Sequence, residues 1–511
     1  MTAPSRTSAR ARPLLGRLVL TGVLVASGAA LVPGLSTSTS ARDEPLIRPT
    51  TQIRCNDGSR PETSIQGRVP QRDYDSGRAK RGYTCNTRMV SRIGDSGGFK
   101  THFYRDADGR RCVFYDSTRM APTDVPYNIS RGGLGTFVVA MDDARNPRQT
   151  ATLQRAADLS PHESLFLNRR RGLLVAVAGN ASTLPGLISV YSVRQNCRHP
   201  AHLADRPFQG FGHESGFAPD GRTFYASGTF SSLGQGAPVL TAIDLSDPTQ
   251  PTELATYGGE VYHGLRLSPD GNTMYVANIG DPMPNERVAE RGSFRVLDVS
   301  EIQSRQATPQ IHELDDLRYR ENSIPQHADP LVIDGHKYVL ENDEFANFTF
   351  GPTLAISGGY EEDAPVGAAR LINIDDPENT FVVSLLRLAV HQRSNRDGPQ
   401  QNDPGARSPI GGYTSHYCSA PRYRNPGIVA CGMIGSGLRI FDVRDPMRPR
   451  EVGYFNRPTM PGERPNTDGG ASAMAAPSYD LRRRLVFYAD GYKGLFAVRL
   501  AKHIVPRHYW R

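Results

Sequence analysis

The chain of 511 residues holds a single tryptophan, Trp510, so a repeat built on one tryptophan per unit cannot fill it. Beyond the first forty residues no apolar run approaches the ~18 residues that a membrane helix requires, and no long stretch carries apolar residues at helical spacing. Net charge is small. The formal +8 falls to about +4 once Arg6, Arg10, Arg12 and Arg17, which precede an apolar leader, are set aside. No basic stripe interleaved with aromatics is present, which excludes nucleic acid as a partner. A nucleophile elbow, a P-loop, a Rossmann fingerprint and a His-Glu-x-x-His helix are all missing, so hydrolysis by a serine triad has no basis. Glycine (50) and proline (39) are plentiful, the profile of a turn-rich all-β chain.

The four arginines, the apolar stretch 18–32 and the small residues ending at Ala41 read as a signal peptide over 1–41, with an uncleaved leader as the alternative. The mature protein is therefore expected to be secreted or extracytoplasmic, without a membrane span after signal removal. Six cysteines in such a compartment favour disulfides over free thiols. Cys418 and Cys431 flank the turn Arg424-Asn425-Pro426-Gly427 and should face each other across a hairpin; the pairing of Cys55, Cys85, Cys112 and Cys197 stays open. Residues 42–82 are polar with little periodicity and read as an extended arm.

After the arm, one grammar recurs. GHESGFAPDGRTFYASGT (212–229), HGLRLSPDGNTMYVANIG from His263 and HADPLVIDGHKYVLEND from His327 each place a histidine seven residues before an Asp-Gly turn flanked by strand-like residues, which is a β-hairpin opening on histidine. Looser copies open at His162, His416 and His102, and a seventh at Met474. Successive leaders lie 50 to 89 residues apart. Each hairpin is followed by a third strand ending in an acidic turn, as in LTAIDLSDP and LRIFDVRDP, and then by a fourth. Seven such units predict a seven-bladed β-propeller of four-stranded antiparallel blades over 83–505, with a tail over 506–511. The last unit lacks a fourth strand, and the orphan strand 83–94 is expected to supply it and close the ring, leaving no open edge.

The third-strand pattern, an apolar run and then Asp-x-x-Asp-Pro, resembles the LVIVD-repeat family of exported bacterial β-propeller proteins, over roughly residues 83–500. That resemblance implies the propeller architecture and no defined reaction. The Trp-Asp signature of WD40 repeats is absent.

The first strand of each blade lies nearest the axis, so the leading histidines are expected at the mouth of the channel, on the face where the insertions 279–292, 342–369, 392–411 and 457–470 also gather. His162, His213, His263, His327 and His416, with His102 one residue out of step, are the candidate metal ligands, and converging imidazoles suit copper, zinc or iron. Met474 is either a soft axial ligand or an apolar lining residue. Glu163 and Glu214, which follow their histidines in a repeated His-Glu-Ser, are the candidate catalytic carboxylates, orienting imidazoles or acting as general bases. The competing reading makes these groups structural, bridging neighbouring blades. The acidic stretches 341–344 and 361–363 would bind calcium or a cationic partner, or lie in solvent.

Three functions remain open. The first is an exported transition-metal protein, an oxidoreductase if an enzyme, similar at fold level to the carotenoid-cleaving oxygenases and the histidine-rich selenium-binding propellers. The second is a non-catalytic secreted or cell-envelope scaffold, and the third a calcium-dependent lactonase-like hydrolase. In each, a small molecule or cell-envelope ligand would meet a monomeric protein at the histidine face.

Overall fold

The computed structural model describes residues 44–510 except 118–132, 179–184, 211, 229–237, 259–261, 281–290, 346–348, 351–355, 358–365, 397, 407–411, 461–462 and 464–469. The expected leader, much of the four long insertions and the acidic stretch 361–363 lie outside the described residues. No described helix is long and apolar enough to cross a membrane.

Seven antiparallel four-stranded sheets follow one another along the chain, over 101–153, 165–208, 214–258, 262–317, 324–386, 417–456 and 478–500. They are blades 1 to 7 below. The seventh takes its outer strand from the N-terminal side, where Thr87–Ile93 pairs with Gly494–Leu500. The single closing strand expected over 83–94 is divided in two. Tyr83–Cys85 pairs with the outer strand of blade 6, and only the next segment closes blade 7. Asn86, at φ 55°, makes the break between them.

The repeated acidic turn has a local cause. Asp244, Asp298 and Asp442 each accept a hydrogen bond from the backbone N–H two residues on, at 2.8, 2.8 and 3.0 Å. Asp247, Asp376 and Asp445 do the same at 2.9, 3.1 and 3.0 Å. At 244/247 and 442/445 the motif is thus a pair of Asx turns that reverses the chain between third and fourth strands, and at Asp298 and Asp376 one such turn is seen. The pairing of those two strands is interrupted by a bulge in every blade, which adds the twist a radial array needs.

Packing is between blades. Strands buried on both faces read as continuous apolar runs, and each interface has its own core: Phe114, Leu165 and Leu174 between blades 1 and 2, or Leu340, Leu371 and Phe441 between blades 5 and 6. Full burial of one such side chain contributes about 1.5–3 kcal/mol. All six cysteines are bridged, Cys418 with Cys431 across the hairpin as expected, Cys112 with Cys197, and Cys55 with Cys85. Disulfides of this kind form in oxidising compartments.

Residues 44–82 are less extended than their composition suggests. Thr51–Gln52 adds a parallel strand to blade 6, Gln71–Asp75 is helical, and Glu62 reaches Arg439 inside that blade.

Candidate metal centre at the propeller hub

Inner strands meet around the axis through bonds that tie each blade to the next. Ser164 Oγ donates to the carbonyl of His213 at 3.0 Å, Ser227 Oγ to that of His263 at 2.7 Å, and Asn342 Nδ2 to that of His416 at 2.7 Å. Two imidazoles join the same chain. His263 Nδ1 lies 2.9 Å from the carbonyl of Gln326 and His416 Nδ1 2.8 Å from that of Met474. A carbonyl only accepts, so both Nδ1 atoms carry the proton, and both Nε2 atoms are turned to the axis.

What they face is Glu163. Its Oε2 lies 3.2 Å from Nε2 of His213 and 3.2 Å from Nε2 of His263, and its Oε1 lies 3.3 Å from Nε2 of His416. Glu344 approaches from the other side, 3.0 Å from His416 Nε2 and 3.9 Å from His263 Nε2. The ring of His162 is 4.5 Å from that of His213, centroid to centroid. Gln326 donates through Nε2 to Glu163 Oε1 at 2.5 Å and to Glu344 Oε2 at 3.2 Å. Phe99, edge-on to His162 at 4.7 Å and tilted against His416 at 4.8 Å, closes the ring with Met474 and Phe345 as an apolar wall. The side chain of Met474 packs in that apolar cluster.

Electrostatics separates the imidazoles. Burial works against charge on His263 and His416, but Glu163, joined at His416 by Glu344, outweighs it and lifts both to about 9. Burial and the neighbouring His213 push His162 down to about 3. Burial also opposes charge on Glu163, yet its three histidine neighbours hold it well below the usual carboxylate range. The result is a buried carboxylate facing two imidazoles, His263 and His416, that hold their protons. Its Oε2, fully buried, has no aligned hydrogen-bond donor.

That orphaned oxygen tests whether a metal fits. Ligands about 2.0–2.2 Å from one ion stand about 3–3.5 Å from each other in tetrahedral or octahedral arrangements, which matches the 3.2 to 3.3 Å from Glu163 to the three Nε2 atoms and the 3.0 Å from Glu344 to His416, while Glu344 stands farther from His263, at 3.9 Å. Two triads, His162/Glu163/His213 and Glu163/Glu344/His416, each keep their ligand atoms within 4.8 Å. Nitrogen predominates and only two carboxylates enter, a set suited to a transition metal and poor for calcium, which takes six to eight oxygens. Access is beside His213, whose side chain is 17% exposed while those of His263 and His416 are at most 1%.

Three expected site residues lie elsewhere. In blade 5 a bulge between Pro325 and His327 sets two residues opposite Asn342. Gln326 therefore takes the place on the axis, and His327 turns to Asp329 (3.7 Å) and to the ring of Tyr417. His102 bonds through Nε2 to the carbonyl of Leu165 at 2.7 Å, and burial pushes it down to about 3. Glu214 does not follow Glu163. It pairs with Lys100 Nζ at 2.7 Å, both fully buried, in a layer shared with Arg266 and Asp329. Burial draws Lys100 down to about 8 although Glu214 pulls the other way. Two equivalent glutamates separate because His162 adopts φ 51°, a left-handed turn that His213 does not make, and this redirects Glu163 to the axis.

Glu344, which the sequence places in the acidic stretch 341–344 as a calcium or cationic-partner group and not among the histidine ligands, stands in the hub. Glu341 and Asp343 bind Arg370 on one face of their strand, while Asn342 and Glu344 point to blade 6. Alternation along 341–344 was the available signal.

No protein-family model and no curated protein matches the sequence. Among solved structures the chain is similar to a putative 6-phosphogluconolactonase from Bacteroides fragilis, at 10% identity and TM-score 0.46 over 75% of this chain and 88% of that one. It is also similar to a periplasmic gluconolactonase from Pseudomonas aeruginosa, at 11% identity and TM-score 0.47 over 74% and 88%. A third is the β-propeller domain of Cps50 (Swd1) from Myceliophteria thermophila, at 11% identity and TM-score 0.47 over 81% and 98%. At these identities nothing of their activities carries over.

Proposed function

We propose that the protein is an extracytoplasmic β-propeller, of the LVIVD-repeat kind, that holds a transition metal at its hub, with oxidoreduction as its class of reaction. The observation that carries this is the buried Glu163 Oε2, equidistant from the Nε2 atoms of His213 and His263 and without a hydrogen bond. That oxygen meets the two imidazoles only as ion pairs without an aligned hydrogen bond, and a cation among the three groups would satisfy all of them at once. Supporting it, the Nδ1–H···O=C bonds of His263 and His416 fix the tautomer and aim that metal-binding imidazoles commonly show.

The residues that would hold the ion are His213, His263, His416 and Glu163, with His162 and Glu344 flanking. Copper or iron bound there would supply one-electron chemistry, and zinc Lewis acidity. The chain's own part is to orient these groups. Gln326 fixes the Glu163 carboxylate, the apolar wall of Phe99, Phe345 and Met474 keeps water from one side, and the opening beside His213 admits a small molecule. Cleavage of the leader over 1–41 and disulfide formation place the protein outside the cytoplasm in this reading.

The test is metal analysis of untagged protein after reconstitution with copper, zinc or iron and desalting. Wild type is expected to retain a transition metal, and H213A/H263A/H416A to lose it, while H102A and H327A retain it. A wild type that retains none leaves a binding scaffold with a structural hub.

A further inference from the structure

The two oxygens of Glu163 face different ligand sets. Oε2 lies toward His213 and His263, with His162 beyond, whereas Oε1 lies toward His416, which in turn meets Glu344. Both triads with ligand-like spacing contain Glu163, and they share nothing else. A carboxylate that presents each oxygen to a separate group of donors is the arrangement that bridges a pair of ions, commonly about 3.5–4 Å apart.

We propose that the hub is a dinuclear centre, with Glu163 bridging one ion held by His162 and His213 and a second held by His416 and Glu344. This rests on the metal reading above and adds its stoichiometry. His263 stands between the two positions, 3.2 Å from Glu163 Oε2 and 3.9 Å from Glu344 Oε1, and serves the first ion. Gln326 belongs to the second. Its Nε2 lies 3.5 Å from His416 Nε2, and its Oε1 is buried without a hydrogen-bond partner. Amide nitrogen and oxygen differ only in which is assigned from the surrounding network, so half a turn of the amide presents an oxygen ligand where a donor now stands. Blades 2, 3 and 4 thus furnish one position and blades 5 and 6 the other, a division that needs Glu163 at the axis and off the path taken by Glu214. The left-handed turn at His162 has that effect.

The experiment titrates metal-free wild type with Cu²⁺ and, separately, Zn²⁺, and measures bound metal per chain after desalting, with electron paramagnetic resonance of the copper form. Two equivalents are expected, with the copper signal reduced at two equivalents by coupling between neighbouring ions. H416Q/E344Q is expected to bind one equivalent and give an uncoupled copper signal, and so is H162Q/H213Q. Saturation of wild type at one equivalent, with an undiminished copper signal, overturns the dinuclear centre and leaves the metal reading intact. Failure of wild type to bind any metal overturns both. The wild-type stoichiometry and spectrum decide the matter even where a hub variant does not fold.

Discussion

Gln326 Nε2 lies 2.5 Å from Glu163 Oε1 and is the one aligned hydrogen-bond donor to that carboxylate among the described residues. The two residues are 163 positions apart in sequence and come from blades that are not neighbours, so this bond crosses the axis. Gln326→Leu removes the donor and leaves a buried acceptor. Metal-free protein is expected to lose about 1–3 kcal/mol of unfolding free energy, read from the denaturant midpoint at unchanged m. An unshifted midpoint would mean that the bond adds nothing to the hub.

Below the histidine ring, Lys100 and Glu214 form a buried pair. Lys100→Met leaves Glu214 with only Arg266, 3.5 Å away, and is expected to cost up to about 3–5 kcal/mol, whereas Lys100→Met combined with Glu214→Leu should recover most of it. A double-mutant cycle by chemical denaturation measures the coupling. Simple additivity of the two losses would show that the pair does not act as a unit.

Asp158 gives the fold a dependence on pH away from the hub. Burial pushes its carboxyl up from 3.8 to about 6, against the hydrogen bond it accepts from Tyr191. Between those two values the folded chain holds a proton that the unfolded chain has released, so stability falls as pH rises through that window. The loss approaches about 3 kcal/mol above pH 6. Asp158→Asn, which has no charge to bury, should therefore melt higher than wild type at pH 7.5 and about equally at pH 3.5. Equal melting temperatures at pH 7.5 would rule this out.

The disulfides differ in the loops they close. Cys112–Cys197 spans 85 residues and joins blade 1 to blade 2, whereas Cys418–Cys431 spans 13 within one hairpin. Chain-entropy arithmetic gives about 4.5 kcal/mol for the first and about 3 for the second. Replacing each pair with alanine should lower the melting temperature in that order, by calorimetry. The reverse order would place the effect in the folded state.

Much of the architecture was legible because turns announce themselves. Asp-Gly and Asp-x-x-Asp-Pro are side-chain-to-backbone devices that act within a few residues, so the clearest copies reveal the repeat and the looser ones can be found at its spacing. The missing strand of the last unit and the orphan near the N-terminus were visible for the same reason. The hub was legible only in part. A shared register pointed to the axis for His162, His213, His263 and His416, but register is broken by one inserted residue, and the bulge at Gln326 carries no signature in the sequence. Nor does the backbone turn at His162, on which the separate fates of Glu163 and Glu214 depend.

The pairing of Thr87–Ile93 with Gly494–Leu500 joins segments about 400 residues apart. At ribosomal rates of about 5–20 residues per second, the first of these emerges roughly 20–80 s before its partner exists. Throughout that interval the growing polypeptide carries an unpaired β-segment and up to six finished blades with an exposed flank. Early chaperone capture would guard that flank, and a nascent chain stalled before residue 494 would be left sticky rather than merely incomplete.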